Sequence, residues 1–307
     1  MTKIFIDGSH GTTGLRIANR LDQRRDISLI RLTEENRKDP AARKDAINSA
    51  DVVFLCLPDP AAMEAVAMAE NPGTKIIDTS TAHRVNPQWA YGMPELSGQL
   101  EAIKASTRIA NPGCHASGFI ALVAPLVQEG LIDPNTALSC FSLTGYSGGG
   151  KQMIAQYEDE NRSPLYKAPR QYALTQQHKH LKEMQKLCGL GTAPIFCPIV
   201  ADFYSGMEVT VPLFAADLTC TIDDVRALYR RQYNGKIVHF DESPDENGFL
   251  SAAALADRDD MQITVTGNDE RLLLVARFDN LGKGASGAAI QNMNIRLGLP
   301  EETGLVV

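Results

Sequence analysis

The stretch best equipped for chemistry is Asn111-Pro112-Gly113-Cys114-His115-Ala116-Ser117-Gly118-Phe119. Pro112 and Gly113 punctuate the chain just ahead of Phe119, Leu122, Val123, Leu126 and Val127, whose spacing is helical, and Gly130 supplies a stop. Cys114 therefore falls in the turn that opens a helix, where unpaired backbone N–H groups and the helix dipole favour an anion. A thiolate, rather than a thiol, is the form that attacks a carbonyl carbon. Pro125 inside the same helix predicts a kink. A cysteine at such a position serves equally well as a small buried hydrophobe, so its role depends on its company.

Three other clusters offer that company. His178 and His180 flank Lys179; in an extended segment they point to one side, whereas on a helix they diverge by ~200°. A histidine beside Cys114 would act as general acid or base and, when protonated, would stabilise the thiolate. Two surface histidines are the alternative. A zinc site wants more ligands than His-x-His provides and no cysteine pair flanks it, so no metal is expected. Gly145-Tyr146-Ser147-Gly148-Gly149-Gly150-Lys151 reads as a loop whose exposed N–H groups and lysine suit an anionic substrate group, or as a plain flexible loop. Arg84 follows a predicted strand and is able to clamp a phosphate or carboxylate with two hydrogen bonds, unless it is simply a surface arginine.

The elements that must position these groups begin with Lys3–Asp7, a short buried strand, followed by Gly8-Ser9-His10-Gly11-Thr12-Thr13-Gly14 and a helical face at Leu15, Ile17, Ala18 and Leu21. Strand, glycine turn and helix form the context of a dinucleotide-binding fingerprint. Gly8 permits the tight turn, Gly11 lets a diphosphate approach, and Gly14 allows close helix packing. The G-x-x-G-x-x-G spacing is also compatible with an ordinary strand–helix turn. A second strand, 27–32, ends in Thr33-Glu34-Glu35-Asn36-Arg37-Lys38, with charges of both signs. The residues there leave the choice between a ribose 2′-hydroxyl and a 2′-phosphate open. Further strands at 51–57 and 74–78, with a helix starting at 61, make residues up to about 110 a doubly wound parallel α/β sheet of Rossmann type.

Beyond the cysteine helix the strands lengthen, at 137–143, 207–214, 261–266 and 272–278, with a capped helix at 221–229. The alternation at 261–266 predicts a sheet with one solvated face. This is an α+β domain on a mixed or antiparallel sheet. The last apolar helix, 288–297, is expected to pack back onto the first domain, giving boundaries of 1–113 with 284–307 for the dinucleotide-binding domain and 114–283 for the second.

The remaining bounds are broad ones. With 307 residues, 44% of them apolar and 22% charged, the chain supports two domains without disulfides or a structural metal. A net charge of −7 without a long basic run argues against nucleic acid as a partner. Early arginines at 16, 20, 24 and 25 break any signal-like start, and no 18-residue apolar stretch predicts a membrane span. Six scattered cysteines, with Cys56 and Cys140 inside apolar runs, fit a reduced, cytoplasmic protein.

Taken together, Ala110-Asn111-Pro112-Gly113-Cys114, Tyr91-Gly92-Met93-Pro94-Glu95-Leu96 and the run from Asp279 to Asn294 resemble the N-acetyl-γ-glutamyl-phosphate reductases of arginine biosynthesis, in their shorter (type 2) form. Asp78-Thr79-Ser80-Thr81-Ala82-His83-Arg84 and His178-Lys179-His180 are similar to further family segments, and the resemblance runs from Lys3 to Leu297. It implies a semialdehyde-dehydrogenase-like fold and reduction of N-acetylglutamyl 5-phosphate by NADPH through a thioester on Cys114. It implies His180 as acid/base with His178 beside it. Cofactor contacts are implied at Gly8, His10, Gly11, Thr12, Thr13, Gly14, Thr33, Arg37, Pro58, Ser80 and Asn280. Substrate contacts are implied at Arg84, Asn111, Ser117, Gly148 and Lys151. A homo-oligomer, dimer or tetramer, is also implied. The chain departs from the family in carrying His115 where Tyr or Phe is usual and Ser117 where Thr is usual; His115 is expected to add a titrating group beside Cys114. Aspartate-semialdehyde dehydrogenase, a reductase of a longer acyl phosphate and a nucleotide sensor without turnover are the competing readings.

Overall fold

Near-continuous apolar runs drive the first sheet. In the computed structural model, which describes residues 1–307, Ile4 and all of Val52–Leu55 are completely shielded from solvent, as central parallel strands require. The elements in order are β1 (Thr2–Asp7), α1 (Thr12–Leu21), β2 (Ile27–Ile30), α2 (Pro40–Ser49), β3 (Val52–Leu55), α3 (Asp59–Met68), β4 (Lys75–Asp78), β5 (Ala90–Tyr91), α4 (Gln99–Ala105) and β6 (Arg108–Ala110). The strands form one sheet in the order β2-β1-β3-β4-β6-β5, with every pairing parallel. Helix α9 (Gly287–Arg296), near the C-terminus, packs on α4 and β4 of this sheet.

The second sheet follows α5 (Cys114–Gln128). It is built from β7 (Ser139–Gly145), α6 (Gly150–Glu158), β8 (Arg170–Gln171), α7 (His180–Cys188), β9 (Ile195–Ala201), β10 (Met207–Phe214), α8 (Ile222–Gln232), β11 (Val238–Phe240), β12 (Met261–Gly267) and β13 (Arg271–Phe278). Its order is β11-β12-β13-β10-β7-β9-β8. It is mixed: β11–β12 and β7–β9 pair parallel, and the rest antiparallel.

The chain thus forms two compact units, Met1–Pro112 with Ala285–Leu305 and Gly113–Gly284 with Val306–Val307. The last two residues differ from the expected division. Val306 makes two hydrogen bonds to Asp259, its N–H donating to the side-chain carboxylate and its carbonyl accepting from the Asp259 N–H.

Helix α5 is apolar on all sides because it is covered on all sides. Gly118 decides how closely it lies on the sheet: a Cβ there would come within 2.5 Å of Val209 and 3.0 Å of Phe278. The helix continues through Pro125. Pro125 has no N–H to offer the Ala121 carbonyl. The Tyr233 hydroxyl donates to that carbonyl at 2.6 Å, and Tyr229 donates to the next one, Leu122.

Some predicted elements shift. Strand β2 stops at Ile30, and Gly14 lies within α1 rather than ahead of it. The segment 145–151 is not an open loop. A 3-10 turn over Tyr146–Gly149 runs directly into α6. Helix α2 escaped the sequence reading although Asp39 caps it, accepting from the Ala42 N–H with Pro40 at the first position. No helix is long and apolar enough to cross a membrane.

Candidate active site

In the second unit, Cys114 is the first residue of α5. Gly113 is the N-cap in extended conformation (φ −83°, ψ 144°), and the first turn contains no acidic residue. The sulfur-bearing side chain is half-buried. A Cβ at position 284 would fall 3.0 Å from that of Cys114, so Gly284 keeps that flank clear. Such a helix start leaves N–H donors and a positive dipole end beside the sulfur, the setting that stabilises a thiolate.

The paired histidines lie between the extended and helical alternatives. His178 precedes α7 and His180 is its first residue. The His180 N–H donates to His178 Nδ1 at 3.2 Å, and the rings meet edge to face with centroids 4.7 Å apart. Both face His115, at 5.8 Å and 5.6 Å between centroids. Burial, with the Lys179 charge, pushes the His178 imidazole down to about 4. His115 is pushed down to about 3 by burial, then by His178 and Lys179. Burial thus favours the neutral form of His115, the extra titrating group expected beside Cys114. Its Nδ1 lies 2.6 Å from Ser142 Oγ and its Nε2 2.6 Å from the Tyr172 hydroxyl.

Glu183, which the sequence reading missed, completes this cluster. Its buried carboxylate accepts from the Gly113 N–H at 2.8 Å. It sits one helical turn after His180, so a pattern of three residues on α7 was the available signal. Tyr172 had no sequence signal at all.

Four other expected residues belong to this unit. Ser117 donates back to the Gly113 carbonyl at 3.1 Å inside α5. Lys151 is exposed on α6 and Gly148 on the preceding turn. Asn280, the expected cofactor contact of this unit, follows β13. It is buried, donates to Ser147 Oγ at 3.0 Å and accepts from the Gly206 N–H at 2.9 Å, so both ends of its amide are used in packing.

In the first unit, a cavity of about 610 Å³ is lined by Gly8, His10 and Gly11, by Arg31 and Arg37 past β2, and by Cys56 after β3. Gly8 has φ +86°, and a Cβ on it would sit 2.3 Å from the Cys56 carbonyl oxygen. A Cβ on Gly14 would sit 2.4 Å from the Gly8 carbonyl oxygen. Only glycine fits either place. Thr12 Oγ1 and Arg37 Nε are buried without a hydrogen-bond partner. An anionic diphosphate over α1, with a further phosphate near Arg37, matches this donor set, so a dinucleotide fits. Arg37 pairs with Glu34 at 2.5 Å and Arg31 with Asp22 at 2.5 Å, while exposed His10 stands 3.6 Å from Glu34. Below the glycine turn, buried Asp7 pairs with Arg43 at 2.9 Å; burial raises the carboxyl against the pull of that arginine. Cys56 packs against the sheet's core and also lines the cavity, its thiol pushed up to about 12 by desolvation.

The remaining expected contacts of this unit are Thr13, inside α1; Thr33, exposed after β2; and Pro58, the N-cap of α3. Ser80 donates to Asp78 at 2.7 Å, and Asp78 also holds His83 Nδ1 at 2.6 Å. Arg84 donates to the carbonyls of Asn111 and Thr79 at 2.9 and 3.0 Å. Asn111 in turn donates to the Ala285 carbonyl at 3.0 Å and accepts from Asn292 at 3.2 Å. No group of three or more His, Cys, Asp or Glu side chains is arranged to hold a metal ion.

Comparison with known proteins places these features in a class. Residues 3–105 match the semialdehyde dehydrogenase NAD binding domain, and residues 114–280 match the semialdehyde dehydrogenase dimerisation domain. The fold is similar to aspartate semialdehyde dehydrogenase II of Vibrio cholerae, with a TM-score of 0.73 at 13% identity over 97% of this chain and 98% of that one. The NADP-bound aspartate semialdehyde dehydrogenase of Candida albicans gives 0.68 at 16% identity, over 96% and 98%. The class is that of the semialdehyde dehydrogenases.

Relatives within the class are more specific. The chain is 46% identical to N-acetyl-gamma-glutamyl-phosphate reductase of Sinorhizobium medicae, over 96% of this chain and 98% of the relative. It is 43% identical to N-acetyl-gamma-glutamyl-phosphate reductase 2 of Nostoc sp., over 99% of each. The chain belongs to the N-acetyl-gamma-glutamyl-phosphate reductase family.

Proposed function

We propose that this protein reduces N-acetyl-L-glutamyl 5-phosphate to N-acetyl-L-glutamate 5-semialdehyde and phosphate with NADPH, a step of arginine biosynthesis in the cytoplasm. The observation that carries the reading is Cys114 at the first position of α5, in the same cluster as His178 and His180. The Cys114 thiolate attacks the acyl carbon, the carbon–oxygen bond to phosphate breaks, and phosphate leaves with its electron pair, giving a thioester. NADPH, when bound, would supply a hydride to the thioester carbonyl carbon, and as the carbonyl re-forms the carbon–sulfur bond breaks, releasing the aldehyde and returning Cys114 as thiolate. His180 holds the proton exchanged between the sulfur and the substrate oxygen, and His178, neutral and bonded to the His180 N–H, orients it. Arg84, with Asn111, serves the substrate's phosphate or carboxylate. Gly148 and Lys151 are the further anion contacts.

In this reading residues 1–113 and 284–307 bind the dinucleotide and 114–283 carry the chemistry and the subunit contact. Gly8, Gly11, Thr12, Thr13 and Gly14 hold the diphosphate. Arg37, with His10 and Thr33 nearby, takes the 2′-phosphate, and Pro58 and Ser80 border the nicotinamide end. A homo-oligomer is supported by the second sheet. Helix α5 covers the face bearing Val209 and Phe278, while the opposite face bears Phe141, Ile195, Phe214 and Leu273, all exposed. An apolar sheet face of that kind is where a second copy docks, as dimer or within a tetramer.

The test is phosphate-dependent NADP⁺ reduction with N-acetylglutamate 5-semialdehyde and aspartate semialdehyde side by side. Turnover of the first is expected. Preference for the second would replace this substrate, and no turnover of either, with an inert Cys114, would leave a nucleotide sensor.

A further inference from the structure

Ser142, His115 and Tyr172 form a hydrogen-bonded chain beside the nucleophile that no step above uses. His115 directly follows Cys114 in the first turn of α5 and is 3% exposed. Its two ring nitrogens are each 2.6 Å from a hydroxyl, Ser142 on one side and Tyr172 on the other. Phe196 packs edge-on against the ring at 5.3 Å, so it has neither room nor a spare nitrogen to reach a substrate. Tyr172 is itself pinned: its N–H donates to the Pro198 carbonyl at 3.1 Å, and Ala173 after it has the left-handed φ of 53°. Burial, with Cys114 as a lesser influence, pushes the Tyr172 phenol above its ordinary range.

We propose that His115 is a positioning residue that, anchored by Ser142, aims the Tyr172 hydroxyl at the Cys114 sulfur. A neutral imidazole carries one N–H, so it donates at one nitrogen and accepts at the other. When Nε2 donates to the tyrosine oxygen and Nδ1 accepts from Ser142, the phenolic hydrogen is left for the sulfur. That is a charge-assisted bond to a thiolate and a weak one to a thiol or thioester, so the chain favours the reactive form. The charged and titratable groups facing Cys114 and His115 are His178, Lys179 and His180 at the start of α7, Glu183 through the Gly113 N–H, and Tyr172. Strands β10 and β13 meet α5 with Val209 and Phe278.

The proposal rests on Cys114 being the nucleophile, and the experiment separates the two. Iodoacetamide alkylation of Cys114 in the full-length protein, followed peptide by peptide by mass spectrometry across pH, is compared with kcat and KM. The proteins are wild type, His115→Phe, Tyr172→Phe and the double variant. Each single change is expected to raise the midpoint of the alkylation profile by about 0.5–1 pH and to lower kcat about tenfold with KM within threefold. The double variant is expected to be no worse than either single one, because both break the same chain. A wild-type profile for His115→Phe, or losses that multiply in the double variant, overturns the proposal. Should His115→Phe fail to fold, Ser142→Ala is expected to shift the profile the same way by less, and an unshifted profile overturns it equally. If alkylating Cys114 leaves turnover intact, the nucleophile reading itself falls and the proposal with it.

Discussion

The Glu183 carboxylate accepts a hydrogen bond from the Gly113 amide at 2.8 Å, joining the helix that begins with His180 to the helix that begins with Cys114. Both groups are buried, so the bond sets the spacing between candidate nucleophile and candidate acid/base without the play that solvent would allow.

Removing that link should separate stability from activity. Glu183→Ala leaves the buried Gly113 N–H unmatched and is expected to cost about 1–3 kcal/mol of stability with a large drop in kcat. Glu183→Gln keeps an acceptor oxygen at the same place and should retain most of both. Calorimetric Tm and steady-state kcat of the two variants check this; equal losses in both would assign the role to the charge alone.

Cys114→Ser should lose at least a thousandfold in kcat, since an alkoxide is far less accessible than a thiolate. NADPH binding, followed by fluorescence titration, should be unchanged. For His180→Asn a large rate loss with an altered pH profile of Cys114 alkylation is expected. An unchanged rate and profile would move the acid/base role to His178.

Acid should destabilise the second unit through its histidines. The folded-state values of His115 and His178 lie at about 3 and about 4, below the ordinary imidazole value. The unfolded chain therefore binds more protons between those values and about 6.5, and stability is full above that range and falls as pH drops through it. For the fully buried His115 the slope approaches ~1.4 kcal/mol per pH unit below about 6. His178, partly open to solvent, contributes less. Urea unfolding at pH 7 and pH 5 should show the loss, and His115→Phe should lessen it. A pH-independent midpoint would contradict it.

Arg37→Ala should weaken NADPH binding by about tenfold while leaving NADH within twofold, because a phosphate gains most from a guanidinium and a ribose hydroxyl does not. The guanidinium lines the glycine-turn cavity and has a buried Nε without a hydrogen-bond partner. Parallel titrations with the two nucleotides measure the ratio, and an equal loss for both would move the 2′-phosphate elsewhere.

Local chemistry was legible in the residues alone. The fingerprint between β1 and α1 could be read because a turn too tight for a Cβ admits only glycine, and Gly8 at φ +86° is that turn. Cys114 at a helix start followed from Pro112-Gly113 ahead of an apolar period, and the parallel sheet from unbroken apolar runs bounded by breakers. These signals work because propensity, burial and capping act over a few neighbouring residues.

The contacts that make the cluster a site were decided only by the tertiary structure. Glu183 meets Gly113 across 70 residues of sequence, and Tyr172 meets His115 across 57. Tyr172 carries no local mark, and Glu183 only its place one turn after His180, since a carboxylate seeking an amide looks, in sequence, like any polar residue. The same holds for Asn280 and Ser117, whose side chains meet Gly206, Ser147 and Gly113. Which partner a polar group finds is fixed by packing, because a buried donor or acceptor takes the nearest match that the fold brings to it.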